Sequence, residues 1–138
     1  MYGDDIVMNY CRNCSTLLKN NNNKHCSNKC QKEYEYCQYI IQWKIGLKRG
    51  LRGQYQLSQH IRRYIFEKYN YACGRCGWNK INPYTGLLPL EVEHLEGNYE
   101  NNIEENLIVQ CPNCHSLTST YKGANVNHGR LARRKYYK

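Results

Sequence analysis

The segment Cys73–Leu117 reads CGRCGWNKINPYTGLLPLEVEHLEGNYENNIEENLIVQCPNCHSL, with the pair Cys73 and Cys76 at one end and Cys111 and Cys114 near the other. In each pair a single tight turn presents two thiolates to one ion. Four thiolates in two such pairs are what a tetrahedral structural zinc takes. Gly74 and Gly77 suit the first turn, because glycine adopts backbone conformations that a Cβ disfavours. Between the pairs, Leu87–His94 follows the turn NPYTG at Asn82–Gly86 and alternates apolar and polar side chains from Leu90 onward, with Pro89 at its edge. That pattern predicts a short strand, and Leu107–Gln110 is a second short apolar run.

A second quartet lies upstream. Cys11 and Cys14 (CRNC) pair with Cys26 and Cys30 (CSNKC), eleven residues apart, across a polar loop containing Asn20–Asn23. His25 offers an alternative donor, although four sulfurs already suffice. Cys37 is left over, and a small buried or half-buried residue with no chemical role is expected there. Ser27 is a plausible cap for a helix over Asn28–Trp43, where Tyr36, Tyr39, Ile40 and Trp43 recur at three- and four-residue spacing. Ser58 caps a second predicted helix, Gln59–Tyr69, with Ile61, Ile65 and Tyr69 on one face. Between the helices, WKIGLKRGLRGQY carries Gly46, Gly50 and Gly53 beside Lys44, Lys48, Arg49 and Arg52. It reads as a flexible or irregular basic connector, with phosphate contact and plain solvation both open.

Composition explains why metal would be needed. Of 138 residues 14 are Tyr and only one is Phe, so little aliphatic and aromatic bulk is available to offset a backbone entropy cost of about 1–2 kcal/mol per residue. Nine cysteines are present. The N-terminus has no basic-then-apolar leader pattern, and no apolar run approaches the roughly 18 residues of a membrane span. A soluble, intracellular chain with reduced thiols is therefore expected, and metal binding is a better reading than disulfides. Charge is segregated. Residues 40–80 hold nine Lys or Arg against Glu67 alone, residues 81–121 hold six Glu and no basic residue, and residues 122–138 hold six basic residues and no acid. Basic flanks attract a phosphate backbone, whereas an acidic island between them is costly unless its carboxylates hold cations.

The order CxxC, Glu93-His94, Asn106-Leu107, CxxC-His115 resembles the HNH endonucleases, and the likeness runs over about Ser58–Asn125, including CHSLTSTYKGAN. The resemblance implies an α+β fold: a small zinc-stapled ββα-metal core that grips duplex DNA and hydrolyses one phosphodiester. His94, Asn106 and His115 would be the three name-giving residues. His94 would be the general base, Glu93 and His115 would bind one catalytic divalent ion, and Asn106 would tether the loop and orient the base. Two protein ligands suit Mg²⁺, with Mn²⁺ or another divalent ion open. Two departures are visible: the family more usually has Asp or His where Glu93 stands, and Ser119 stands where some toxin members add a His. Glu91 reads as a solvated or supporting carboxylate. Tyr121, Lys122 and Asn125 are candidates for phosphate contact near the site.

The expected organisation is a zinc module and helix over 1–43, the basic connector over 44–57, a nuclease core over 58–125 and a basic tail over 126–138. Candidate DNA contacts are Lys44, Lys48, Arg49, Arg52, Lys122, Arg130, Arg133 and Arg134. The expected cofactors are two structural Zn²⁺ and the single catalytic ion, and the expected partner is double-stranded DNA in the cytoplasm, a phage-infected cell included. One active site cuts one strand, so a homodimer stays open, as do restriction, homing, nicking and packaging roles. The competing readings are a noncatalytic zinc-stabilised DNA-binding module and a zinc-stabilised protein adaptor.

Overall fold

A computed structural model describes residues 7–124, and the chain divides into two compact units, residues 1–42 and 43–138. In the first, Tyr10 and Leu17 form an antiparallel bridge around a knuckle whose closing residue, Ser15, has φ 60°. The Cys11 amide donates to Thr16 O at 2.8 Å and the Ser15 amide to Cys11 O at 2.9 Å. The Asn-rich loop is pinned: Asn9 Nδ2 donates to the carbonyls of Asn23 at 2.6 Å and Asn21 at 3.1 Å. Helix α1 spans Asn28–Lys44, its last two residues falling in the second unit. Ser27 Oγ accepts from the Cys30 amide at 3.2 Å, the capping contact that a Ser at this place favours. Cys37 is exposed, contrary to the burial expected of it, while Tyr36, Ile40 and Trp43 are buried. Helical periodicity sets those three on one stripe and turns position 37 away from it.

The second unit opens on a surprise. The Gly-rich connector, expected to be flexible or irregular, contains a two-stranded antiparallel hairpin of β1 (Leu51–Arg52) and β2 (Gln56–Leu57), turning at Gly53 with φ 62°. Gly50, φ 78°, is buried, and a Cβ there would sit 2.6 Å from Ile61 Cδ1 and 2.9 Å from Asn102 Cβ. Strands of two residues leave no alternation in the sequence, so periodicity has nothing to register.

Helix α2 (Gln59–Lys68) is capped by Ser58, whose side chain accepts from the His60 amide, and it buries Ile61 and Ile65 completely. The second knuckle repeats the hydrogen bonds of the first: the Cys73 amide donates to Trp78 O at 2.9 Å and the Gly77 amide to Cys73 O at 2.8 Å, with Gly77 at φ 75°. Strand β3 (Glu91–His94) pairs antiparallel with β4 (Leu107–Gln110), in the register Glu91 with Gln110 and His94 with Leu107. Every residue of β4 is buried, and α2 packs on both strands, so the core is Ile61, Ile65, Leu90, Leu107 and Val109. Helix α3 (Pro112–Ser116) follows at once, with Cys111 as its cap and Pro112 in its first turn, where a missing N–H costs nothing. Among the described residues the unit is thus a small mixed α/β arrangement with two short two-stranded sheets, in which β3, β4 and α3 follow in strand-strand-helix order.

Candidate active site

The two cysteine quartets come together as their spacing required. In Cys11, Cys14, Cys26 and Cys30, and again in Cys73, Cys76, Cys111 and Cys114, all four sulfurs lie within 4.8 Å of one another. Cys14 Sγ is 3.6 Å from Cys26 Sγ, Cys26 Sγ is 3.5 Å from Cys30 Sγ, and Cys76 Sγ is 3.8 Å from Cys111 Sγ. Tetrahedral Zn–S bonds of about 2.3 Å put sulfurs about 3.8 Å apart, whereas a disulfide would need about 2.05 Å. The donor set therefore fits zinc. His25 is not part of the first group; its ring lies 5.2 Å from that of Tyr34.

In both groups one thiol is lowered and another raised by its neighbours. Burial pushes Cys11 up, but backbone amides of Cys14, Cys26 and Asn13 outweigh it and bring that thiol to about 6. Burial likewise opposes, and the amides of Cys111, Cys76 and Arg75 overcome it, to bring Cys73 to about 6. Cys26 is pushed up to about 12 by sharing protons with Cys30 and Cys14, and Cys114 to about 12 by sharing with Cys76 and by burial. In each cluster one thiol is lowered to about 6 while another is raised to about 12, so deprotonating that second thiol calls for a compensating cation.

Between the sulfur pairs, β3 and α3 bring Glu93 and His115 side by side: His115 Nδ1 lies 3.7 Å from Glu93 Oε2, both side chains partly exposed. Octahedral ligands about 2.1 Å from an ion lie about 3 Å apart when adjacent, so the pair needs only a small adjustment to share one. His115 is held from two sides, by the knuckle residue Cys114 before it and by Tyr121, whose ring meets it edge-on at 5.1 Å. Glu91 sits exposed at the far end of the strand.

His94 ends β3, and its Nε2 lies 2.7 Å from Asn102 Oδ1. Asn106 does not bond the imidazole. It is buried, its Nδ2 donating to Asn101 O at 2.8 Å and its Oδ1 accepting from the Glu96 amide at 3.1 Å, so it ties the loop after His94 into a closed turn. The Leu95 amide adds a bond to Asn106 O at 2.8 Å. Asn102 is the residue that sequence reasoning missed. Its buried amide also donates to Arg49 O at 3.1 Å and Glu100 O at 3.4 Å, and its carbonyl accepts from Trp43 Nε1 at 2.7 Å. An Asn within NNIEEN carries no signal separating it from turn residues around it; two of its partners, Arg49 and Trp43, lie 53 and 59 positions away.

The basic candidates divide. Lys44 Nζ is drawn to Glu104 Oε2 at 3.5 Å and to the Tyr64 hydroxyl, which takes it away from phosphate. Lys48 and Arg49 are exposed beside the Asn102 anchor, and Arg52 is exposed on β1. Lys122, in a single 3-10 turn with φ 49°, lies over the Tyr121 ring at 5.0 Å. Arg130, Arg133, Arg134 and Asn125 lie outside the described residues. Among the described residues no helix is long and apolar enough to cross a membrane.

No family model matches the chain, and no solved structure matches it. Two curated proteins are similar in part. The chain is 54% identical over 39 residues to the H-N-H endonuclease F-TflIV of Escherichia phage T5, a stretch that covers 28% of this chain and 17% of that protein. It is 25% identical to the Zorya protein ZorE of Escherichia coli over 93% of this chain and 37% of that protein. The chain therefore spans well under half the length of either relative. The local match to a phage HNH endonuclease, together with two sulfur quartets, is suggestive of a nuclease.

Proposed function

We propose that the chain is a metal-dependent DNA endonuclease with an HNH-type site in which His94 is the general base and Glu93 and His115 hold one divalent ion. The observation that carries this reading is the approach of His115 Nδ1 to Glu93 Oε2 at 3.7 Å, one residue from a histidine held by a buried amide. Neither zinc quartet requires those residues, and a module that only bound DNA would not need them. The 39-residue likeness to a phage H-N-H endonuclease supports the same class.

On this reading the core extends over 58–125, with the first zinc module, the connector and the tail adding affinity for the duplex. The neutral imidazole of His94 takes a proton from water. That water oxygen bonds to phosphorus as the bond to the 3′ oxygen breaks, leaving a 5′-phosphate and, after protonation, a 3′-hydroxyl. A bound divalent ion, of which Mg²⁺ is our choice, would supply neutralisation of the phosphate and of the departing oxygen. Lys48, Arg49 and Arg52 offer exposed charge to the backbone, and Asn106 keeps the loop after His94 closed.

The test incubates the zinc-loaded chain with supercoiled plasmid, with and without Mg²⁺ or Mn²⁺, beside His94→Ala and Glu93→Ala. Nicking by the parent alone, dependent on the added metal, is expected. Equal cutting by parent and His94→Ala would remove the proposed base. Tight, salt-sensitive binding with no cutting under any metal would favour a noncatalytic DNA-binding module.

A further inference from the structure

Resting on the reading of His94 as the base, we propose that Asn102 is a positioning residue that fixes the imidazole proton on Nε2 and so makes Nδ1 the nitrogen that receives a proton from water. Each end of the Asn102 amide faces a different set of partners. Oxygen and nitrogen of an amide are told apart by their hydrogen bonds. Asn102 Nδ2 lies 3.1 Å from Arg49 O and 3.4 Å from Glu100 O. Backbone carbonyls only accept, so the NH₂ must be the end that faces them. The other end, Oδ1, is then the atom 2.7 Å from His94 Nε2. An amide oxygen has no proton to give, so the proton between them belongs to the imidazole. A neutral imidazole carries only one, which leaves the lone pair on Nδ1.

The amide cannot readily turn over, because its surroundings are fixed from the same side. Trp43 Nε1 donates to the Asn102 carbonyl at 2.7 Å, and Trp43 is buried with its ring 5.6 Å from that of Tyr64. Gly50 leaves room for Asn102 where any side chain would come within 2.9 Å of its Cβ. Rotating the amide by half a turn would set its oxygen against the Arg49 and Glu100 carbonyls and two N–H groups against Nε2. The connector is thus a buttress of the catalytic loop as well as a carrier of charge: the carbonyl of Arg49, a candidate phosphate contact, sets the orientation of the group that sets the tautomer.

The test reads the proton directly. Imidazole ¹⁵N spectra of the zinc-loaded full chain, with His94 assigned by its loss in His94→Ala, should show a protonated Nε2 and a bare Nδ1. In Asn102→Ala that preference should be lost, with kcat for nicking lowered roughly 10- to 100-fold at unchanged KM. Asn102→Asp keeps an acceptor for Nε2 but sets a carboxylate against two carbonyls. It should melt at a lower temperature than the parent yet retain the Nε2–H tautomer and more activity than Asn102→Ala, a split that a merely structural role would not give. A parent spectrum with the proton on Nδ1, or an unchanged tautomer in Asn102→Ala, overturns the proposal. Because the tautomer is read without DNA, it stands apart from the nuclease reading, which fails instead if His94→Ala still cuts.

Discussion

Two asparagines four residues apart do different work, and only one of them was legible. Asn106 could be placed from its spacing between His94 and His115, but the residue that touches the imidazole is Asn102, because the loop folds back onto Arg49, 53 positions upstream. A linear pattern cannot register such a return. The tether role of Asn106 has its own measurable consequence. Asn106→Ala leaves the half-buried Asn101 carbonyl and the Glu96 amide without their side-chain partner, and a loss of about 1 kcal/mol is expected from denaturant unfolding. Gly50 and Gly53 make a matched pair. Both have positive φ, so Ala at either is strained by about 1–2 kcal/mol. Only at Gly50 does the new Cβ also meet Ile61 and Asn102, and overpacking of that kind adds about 1–3 kcal/mol. Gly50→Ala should therefore unfold at distinctly lower denaturant than Gly53→Ala, and equal midpoints would show that the hairpin yields at no cost.

At the scale of elements, the knuckles and strands near the cysteines followed from local chemistry, since a CxxC turn and a Ser cap are each decided within five residues. The assembly around Glu104 did not. Glu104 opens the 3-10 turn before β4, and its carboxylate gathers Lys68 Nζ at 3.0 Å, the Tyr64 hydroxyl at 3.0 Å and Lys44 Nζ at 3.5 Å, so the ends of α1 and α2 meet the turn that carries Asn106. Burial pushes the Glu104 carboxyl up, but the hydrogen bonds from Lys68 and Tyr64 and the charges of Lys68 and Lys44 outweigh it, and the net shift is downward. A carboxyl lowered on folding stabilises the fold fully above its unfolded value of about 4.3, and that contribution disappears as pH falls through the lowered folded value. Glu104→Gln should accordingly melt below the parent at neutral pH, with the gap closing in acid below that range. A gap that stays constant down to acid would mean that the carboxylate charge is not what holds the three elements.

For the whole molecule, the balance between a thin apolar core and two cysteine quartets that could hold zinc is the governing fact. Among the described residues, the largest almost completely buried side chains are Ile61, Ile65, Leu107, Val109 and the polar Gln110. Cores that small need another source of stability, and structural zinc typically contributes on the order of 10 kcal/mol in such sites. The quartets are self-contained: Cys11, Cys14, Cys26 and Cys30 all fall in residues 1–42, and Cys73, Cys76, Cys111 and Cys114 all fall in residues 43–138. Neither cluster borrows a ligand from the other unit, so loss of one ion leaves the donor set of the other complete. The ligands of the second, however, flank the functional residues, with Cys114 adjacent to His115 and Cys111 adjacent to β4. The full chain should therefore bind two Zn²⁺ by elemental analysis, and Cys11→Ser and Cys73→Ser should each bind one. Replacing zinc by Co²⁺ should give the thiolate charge-transfer band of a tetrahedral site at about half the parent intensity in both variants. Their activities should differ: Cys73→Ser abolishes plasmid nicking because His115 and β4 lose their frame, while Cys11→Ser keeps the site and weakens DNA affinity. Nicking retained by Cys73→Ser with one ion bound would separate the site from the cluster that encloses it in sequence, and the catalytic residues would then have to be sought elsewhere.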